Sequence, residues 1–129
     1  MKNKERFKNW TSPEFIKKEG LKCWENKYGW RVWANFNNFV LGHCVDIGTG
    51  TELFAHDQLI IADFVEIGAH CIIYTKNTIN DVKGPVLIKE GAKIGAQTLI
   101  LPGVVVEKGE FIKAKSIVYI NKKGKRKIL

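Results

Sequence analysis

Aliphatic side chains recur every six residues through most of this chain, a period that suits neither a helix nor an ordinary strand. Ile88, Ile94, Ile100, Val106, Ile112 and Val118 follow one another at six-residue intervals without a slip. Leu41, Ile47 and Leu53 do the same upstream, then Ile61, Ile67 and Ile73, then Val82 leading into Ile88. A helix repeats at about 3.6 residues and a strand at 2. A period of six predicts three short strands per coil of roughly 18 residues, stacked as an all-β parallel β-helix. The fourth residue after each aliphatic is compact: Val45, Thr51, Val65, Cys71, Val86, Ala92, Thr98, Val104 and Ser116. Such residues suit a narrow interior. Gly48, Gly68 and Gly95 directly follow an inward aliphatic, where backbone freedom favours a sharp corner.

The repeats divide the chain into three parts. Residues 1–34 form a polar, Trp-rich cap containing Trp10, Trp24, Trp30 and Trp33, expected to pack within it. Thr11-Ser12-Pro13-Glu14 has the form of a helix start and predicts one short helix over about 13–20, ending near Gly20. Lys22 to Val32 predicts a hairpin around Tyr28-Gly29. Residues 35–119 carry the β-helix, and residues 120–129 form a basic tail without a period. A chain of 129 residues suits one domain with a narrow core.

Composition narrows the setting. No apolar run approaches the roughly 20 residues that span a bilayer, and Met1 to Lys8 is charged, without an apolar signal core. Cys23, Cys44 and Cys71 are an odd set with no ligand-like doublet, as expected of reduced thiols in the cytoplasm. The net charge is +8, from 21 Lys and Arg against 13 Asp and Glu. Lys122, Lys123, Lys125, Arg126 and Lys127 crowd the end of the sequence, a cluster suited to nucleic acid, an acidic surface or a phosphorylated cofactor. Aromatics are not interleaved with these charges, which argues against nucleic acid.

Two breaks in the count locate a candidate site. Leu53 to Ile61 is eight residues and Ile73 to Val82 is nine, insertions of two and three. Counting hexads around a triangular prism puts Leu53, Ile73, Ile94 and Ile112 on one face, so both insertions leave the same corner in successive coils. His56 and Asp57 lie in the first, with Lys76, Asn77 and Asp81 in the coil above and Gln97 one coil further. A neutral imidazole there would accept a proton, with Asp57 to orient it and Asn77 to hold an acceptor. His43 and His70 fall on other corners, so one subunit cannot converge three histidines on a metal; none is expected.

The stretch Gly84-Pro85-Val86-Leu87-Ile88-Lys89-Glu90-Gly91-Ala92-Lys93-Ile94-Gly95-Ala96-Gln97-Thr98-Leu99-Ile100-Leu101-Pro102-Gly103-Val104 resembles hexapeptide-repeat acyltransferases, and Ile47-Gly48 to Ile73-Tyr74-Thr75 resembles the coils before that family's excursion loop. The resemblance covers about two-thirds of the chain. It implies a left-handed β-helix, a homotrimer with sites between subunits, acetyl-CoA as donor and a sugar as acceptor. The loop histidine of galactoside-type O-acetyltransferases is absent: Tyr74-Thr75-Lys76-Asn77 runs on to Thr78. Ala55-His56 is instead similar to the nucleotide-sugar N-acetyltransferase branch. Lys113 and Lys115 replace two glycines of the family pattern near the expected adenosine end of CoA, where with Lys122 and Lys123 they would meet its phosphates. The implied activity is direct acetyl transfer to an amine or hydroxyl of a sugar, with His56 as base and Asp57, Asn77 and Asp81 facing the substrate. The alternatives are a non-catalytic hexapeptide scaffold, which the missing loop histidine favours, and a carbonic-anhydrase-like metalloenzyme on the same fold.

Overall fold

The computed structural model describes residues 5–129; the first four residues of the expected cap lie outside it. Four three-sided coils stack as a parallel β-helix. The first contains β4 (Phe39–Leu41), β5 (Asp46–Ile47) and β6 (Glu52–Ala55); the second β7 (Leu59–Ile61), β8 (Glu66–Ile67) and β9 (Ile72–Tyr74). The third contains β10 (Val86–Ile88), β11 (Lys93–Ile94) and β12 (Leu99–Ile100); the fourth β13 (Val105–Val106), β14 (Phe111–Ile112) and β15 (Ile117–Ile120). Like strands pair in parallel from coil to coil, giving three flat faces: β6-β9-β12-β15, β4-β7-β10-β13 and β5-β8-β11-β14.

The inward positions are those the six-residue count assigns. Leu53, Ile73, Ile100 and Val118 stack on the first face, Ile61, Ile88 and Val106 on the second, and Ile47, Ile67, Ile94 and Ile112 on the third, all buried. The compact fourth positions are buried between them, Thr51 and Thr98 included.

One face assignment is corrected. Leu53 aligns with Ile73 and then with Ile100 and Val118, whereas Ile94 and Ile112 belong to the neighbouring face. Val82 is the reason. It is half-exposed in a loop rather than inward, so the second insertion runs to Val86, where β10 resumes on the face of β7. The loop is pinched at its base by a bridge between Lys76 and Lys83 and by the Asn77 N–H donating to the Val82 carbonyl (2.8 Å). Its tip carries Ile79, 95% exposed. Gln97 consequently moves off the insertion corner and sits above His70, donating its N–H to the Ala69 carbonyl.

The corner glycines also act differently from expectation. Gly48, Gly68 and Gly95 have ordinary φ; a Cβ on each would lie 2.3–2.5 Å from the backbone nitrogen of Ala69, Ala96 or Ala114 in the next coil. They are glycine because coils approach closely there. The left-handed turns fall at His70, Gln97 and Lys115 on one corner, and at Cys44, Phe64 and Gly91 on another.

The expected helix over 13–20 is not formed. β1 (Ile16–Lys17) pairs antiparallel with β2 (Cys23–Glu25), which forms the expected hairpin with β3 (Arg31–Ala34) around Tyr28-Gly29. β3 lies parallel on β6, so the cap continues the first face, and a single 3-10 turn (Phe36–Asn38) follows. A helix of two turns is marginal on its own, and here Ile16–Lys17 pairs with β2 instead, followed by the Lys18 N–H donating to the Cys23 carbonyl. Phe15 packs edge to face on Trp30 and Phe36, and Trp24 lies tilted on Phe36, so that the four rings close the end of the core. At the other end the basic tail is ordered: β16 (Arg126–Ile128) folds back antiparallel on β15.

Candidate functional site

Both insertions leave the first face, from β6 and β9, and meet at one corner. Thr75, fully buried, ties them together: its hydroxyl accepts from the Asp57 N–H (2.9 Å) and donates to the Phe54 carbonyl (2.6 Å). Asn38 fixes the corner from below, its side-chain amide donating to the carbonyls of Ala55 and His56, both at 3.1 Å.

His56 is half-buried beside a groove of about 600 Å³ lined by Trp33, Phe54, Tyr74, Asn35, Lys22 and Thr78. That volume lies within the usual range for small-molecule sites. Burial, and then the charges of Lys76 and Lys83, hold its imidazole below the ordinary value of 6.5. Its Nδ1 is buried without a hydrogen-bond partner. Protonating both nitrogens would leave a buried N–H unpaired, a further reason for the ring to stay neutral near pH 7.

The expected partners are arranged differently. Asp57 does not hold His56; its Oδ1 accepts from the Gln58 N–H at 2.7 Å. Asn77 lies in the loop with its Oδ1 taken by the Ile79 N–H (3.0 Å). Asp81, at positive φ, extends into solvent and pairs with Lys76 at 3.5 Å. The four candidate phosphate lysines divide between two corners. Lys113 and Lys115 are exposed where β14 turns into β15, at the corner bearing His70 and Gln97. Lys122 and Lys123 are in the turn between β15 and β16. Lys122 lines a second groove of about 710 Å³ with Asn77, Lys83, Pro102, Gly103 and Tyr119. The loop from Lys76 to Lys83 thus stands between two grooves, one aromatic and one cationic.

His43 and His70 are exposed on the other two corners. Among the described residues, no three His, Cys, Asp or Glu side chains are placed to hold a metal.

The aromatic wall was not anticipated. Trp33, Phe54 and Tyr74 each follow an inward residue by one position, so strand register stacks them. Trp33 and Phe54 are 6.0 Å apart between centroids at 15°, and Phe54 and Tyr74 4.8 Å at 17°. Trp33, expected to pack within the cap, instead faces outward. Its indole N–H donates to Glu52 Oε1 (2.7 Å), and Glu52 also accepts from Arg31 Nε at 3.0 Å. The signal in the sequence was aromatics at one hexad position in consecutive coils, masked by the irregular spacing of the cap.

No family model and no curated protein matches this sequence. Solved structures that share its fold include two acyltransferases. One is a hexapeptide-repeat-containing acetyltransferase of Vibrio cholerae O1 biovar eltor, complexed with acetyl coenzyme A. It is 17% identical with a TM-score of 0.52, over 71% of this chain and 59% of that one. This chain therefore spans less than two-thirds of that protein. The other is a mutant of AntD, an N-acyltransferase from Bacillus cereus, in complex with dTDP and coenzyme A. It is 21% identical with a TM-score of 0.51, over 82% of this chain and 80% of that one.

Proposed function

We propose that this chain is an acyltransferase that moves an acyl group from a coenzyme A thioester to an amine or hydroxyl of a sugar, with His56 as proton acceptor. The observation that carries the reading is the half-buried imidazole, its pKa held below the ordinary value, lining a groove of ligand size at the corner where two consecutive coils break their repeat. The likeness of the fold to two acyltransferases solved with coenzyme A or its acetyl thioester supports the same reading.

In the proposed reaction the acceptor nitrogen or oxygen attacks the thioester carbonyl. His56 takes the acceptor's proton as the new C–N or C–O bond forms. The tetrahedral centre then collapses, the C–S bond breaks, and the coenzyme A sulfur leaves with that proton. Asp57, Asn77 and Asp81 are the acceptor-side residues. Lys122 and Lys123 would meet donor phosphates, with Lys83 across the cationic groove. Lys113 and Lys115, on the other corner, are a separate anion contact, tested separately by Lys113→Ala/Lys115→Ala and Lys122→Ala/Lys123→Ala. We place the protein in the cytoplasm, where three free thiols, two of them buried, stay reduced. No helix among the described residues is long and apolar enough to cross a membrane.

The deciding experiment incubates the protein with acetyl-CoA and a panel of amino and neutral sugars, and follows acylated product by mass spectrometry. Product formed by the wild type and lost in His56→Ala supports the proposal. A second reading, a non-catalytic scaffold, is favoured by the failure of Asp57 to engage His56. It prevails if no acceptor is acylated.

A further inference from the structure

We infer that the aromatic groove is an acyl-chain pocket, selecting an acyl group longer than acetyl. The inference rests on the acyl-transfer reading and deepens it. Its basis is the part of each ring left open to a ligand. Arg31 lies over the ring of Trp33, its guanidinium carbon 5.3 Å from the ring centroid. The inner face of Trp33 lies on Phe54, and the other face of Phe54 lies on Tyr74. Both faces of Phe54 and one face each of Trp33 and Tyr74 are thus taken by stacking, so the wall presents mainly ring edges.

A sugar or nucleobase gains from an aromatic wall mainly by lying on an open ring face. This wall withholds most of its faces. An aliphatic chain needs only apolar surface of the right extent, which a row of ring edges provides. The polar groups, Lys22, Asn35, Thr78 and the imidazole of His56, add few hydrogen bonds to a predominantly apolar lining. Hydroxyl-rich and phosphate-bearing ligands have better partners in the cationic groove across the loop. Glu52 and Arg31 pin Trp33, so the wall is pre-organised and costs a ligand little ordering. A thioester with its carbonyl near His56 would lay its chain along Tyr74, Phe54 and Trp33 in turn.

The test measures dissociation constants of acetyl-, butyryl- and hexanoyl-CoA by calorimetry, alongside kcat/KM for each donor. Each methylene fully buried against the wall tightens binding by up to about fourfold. Hexanoyl-CoA is expected to bind at least about tenfold more tightly than acetyl-CoA, with kcat/KM favouring the longer donors. Phe54→Ala should bring the hexanoyl-to-acetyl ratio close to one. Trp33→Phe, which keeps a ring in the stack and spares the fold, should reduce that ratio in part. A flat or inverted wild-type series overturns the inference, as does a graded series that survives in both variants. Turnover with a flat series sinks this inference alone. Graded binding without turnover of any donor keeps the pocket and sinks acyl transfer.

Discussion

His56 owes its chemistry to position rather than to a partner. Burial and the neighbouring Lys76 and Lys83 favour the neutral ring, and no carboxylate among the described residues counteracts them. As a general base it should contribute about 10²–10⁴-fold to the chemical step. His56→Ala should lower kcat by that factor with the fold intact, whereas His70→Ala, on an uninterrupted corner, should leave kcat within about threefold. Loss of activity in the second variant alone would move the site to the other corner. The depressed pKa has a definite sign in the pH profile. A base that stays unprotonated below 6.5 keeps kcat/KM on its plateau as pH falls past that value. Lys76→Met removes a positive charge that opposes protonation, so the acid limb should shift to higher pH. A limb that stays put would mean that another group titrates. Gly68 makes a steric statement at the same scale. An alanine Cβ there would sit 2.5 Å from the Ala96 nitrogen, and because backbone cannot give way cheaply, Gly68→Ala should cost about 1–3 kcal/mol in denaturant unfolding.

Strands of two to four residues are stable here only because each is pinned above and below by a neighbouring coil and filled from inside. Ile100 is fully buried, so Ile100→Ala should cost about 2–5 kcal/mol, whereas Val82→Ala in the loop should cost under about 0.5 kcal/mol. Equal losses at the two positions would contradict the register. The six-residue period made the inward column legible because every coil imposes the same constraint on it. The loop was not legible: Val82 is aliphatic and six residues before Ile88, so chance spacing imitated a strand. The cap departs from its local sequence signal for a related reason. Its start signal at Ser12-Pro13 is local, but the outer edge of β2, left free by its pairing with β3, recruits residues 16–17 as a strand. His56 and the insertion corner were legible because they depend on counting, and so was the Phe54–Tyr74 pair, one position after Leu53 and Ile73; Trp33 joins that wall only through the pairing of β3 with β6, which no count reaches. The terminal strand brings another element-scale consequence. Arg126 donates to both oxygens of Glu110 and to the Val105 carbonyl, anchoring β16 over the last coil. Hydrogen bonding from Arg126 holds the Glu110 carboxyl below its ordinary value of 4.5. Its stabilisation is therefore complete above that value and lost as pH falls through the depressed one. Arg126→Met should cost about 1–2 kcal/mol at pH 7 and remove that part of the acid dependence, read from melting curves between neutral pH and about pH 3.

The outer faces of the whole molecule differ sharply from one another. The charged face presents Asp46, Glu66, Lys93 and Phe111, and the chain's own N-terminal segment covers part of it: Arg6 pairs with Asp46 and Glu66, and Phe7 packs edge-on against Phe64. The second face presents Val40, Ile60, Leu87 and Val105, and the first presents Ile72, Leu99 and Ile117 beside the aromatic wall. Val40 is 49% and Ile117 37% exposed in the single chain. Two adjoining apolar faces on a solenoid this narrow favour burial against further copies, and unlike faces meeting head to tail close into a ring. We propose on this basis that the chain forms the homotrimer its sequence resemblance implies, which would set the insertion corner, with Ile79 at its tip, between the two contacting faces. Val40→Glu and Ile117→Glu each place a charge on one of those faces, at positions exposed enough to spare the monomer fold. Each should dissociate the assembly to monomers at micromolar concentration in sedimentation velocity, with secondary structure by circular dichroism unchanged. If the faces meet unlike to unlike, equimolar mixing of the two variants should restore at most one intact contact, between the face that each leaves unaltered, and yield dimers. Like-to-like contacts would instead let each variant pair through its unaltered face, giving dimers of either variant alone. A wild-type chain that sediments as a monomer would remove the trimer and leave both grooves open to solvent on one subunit.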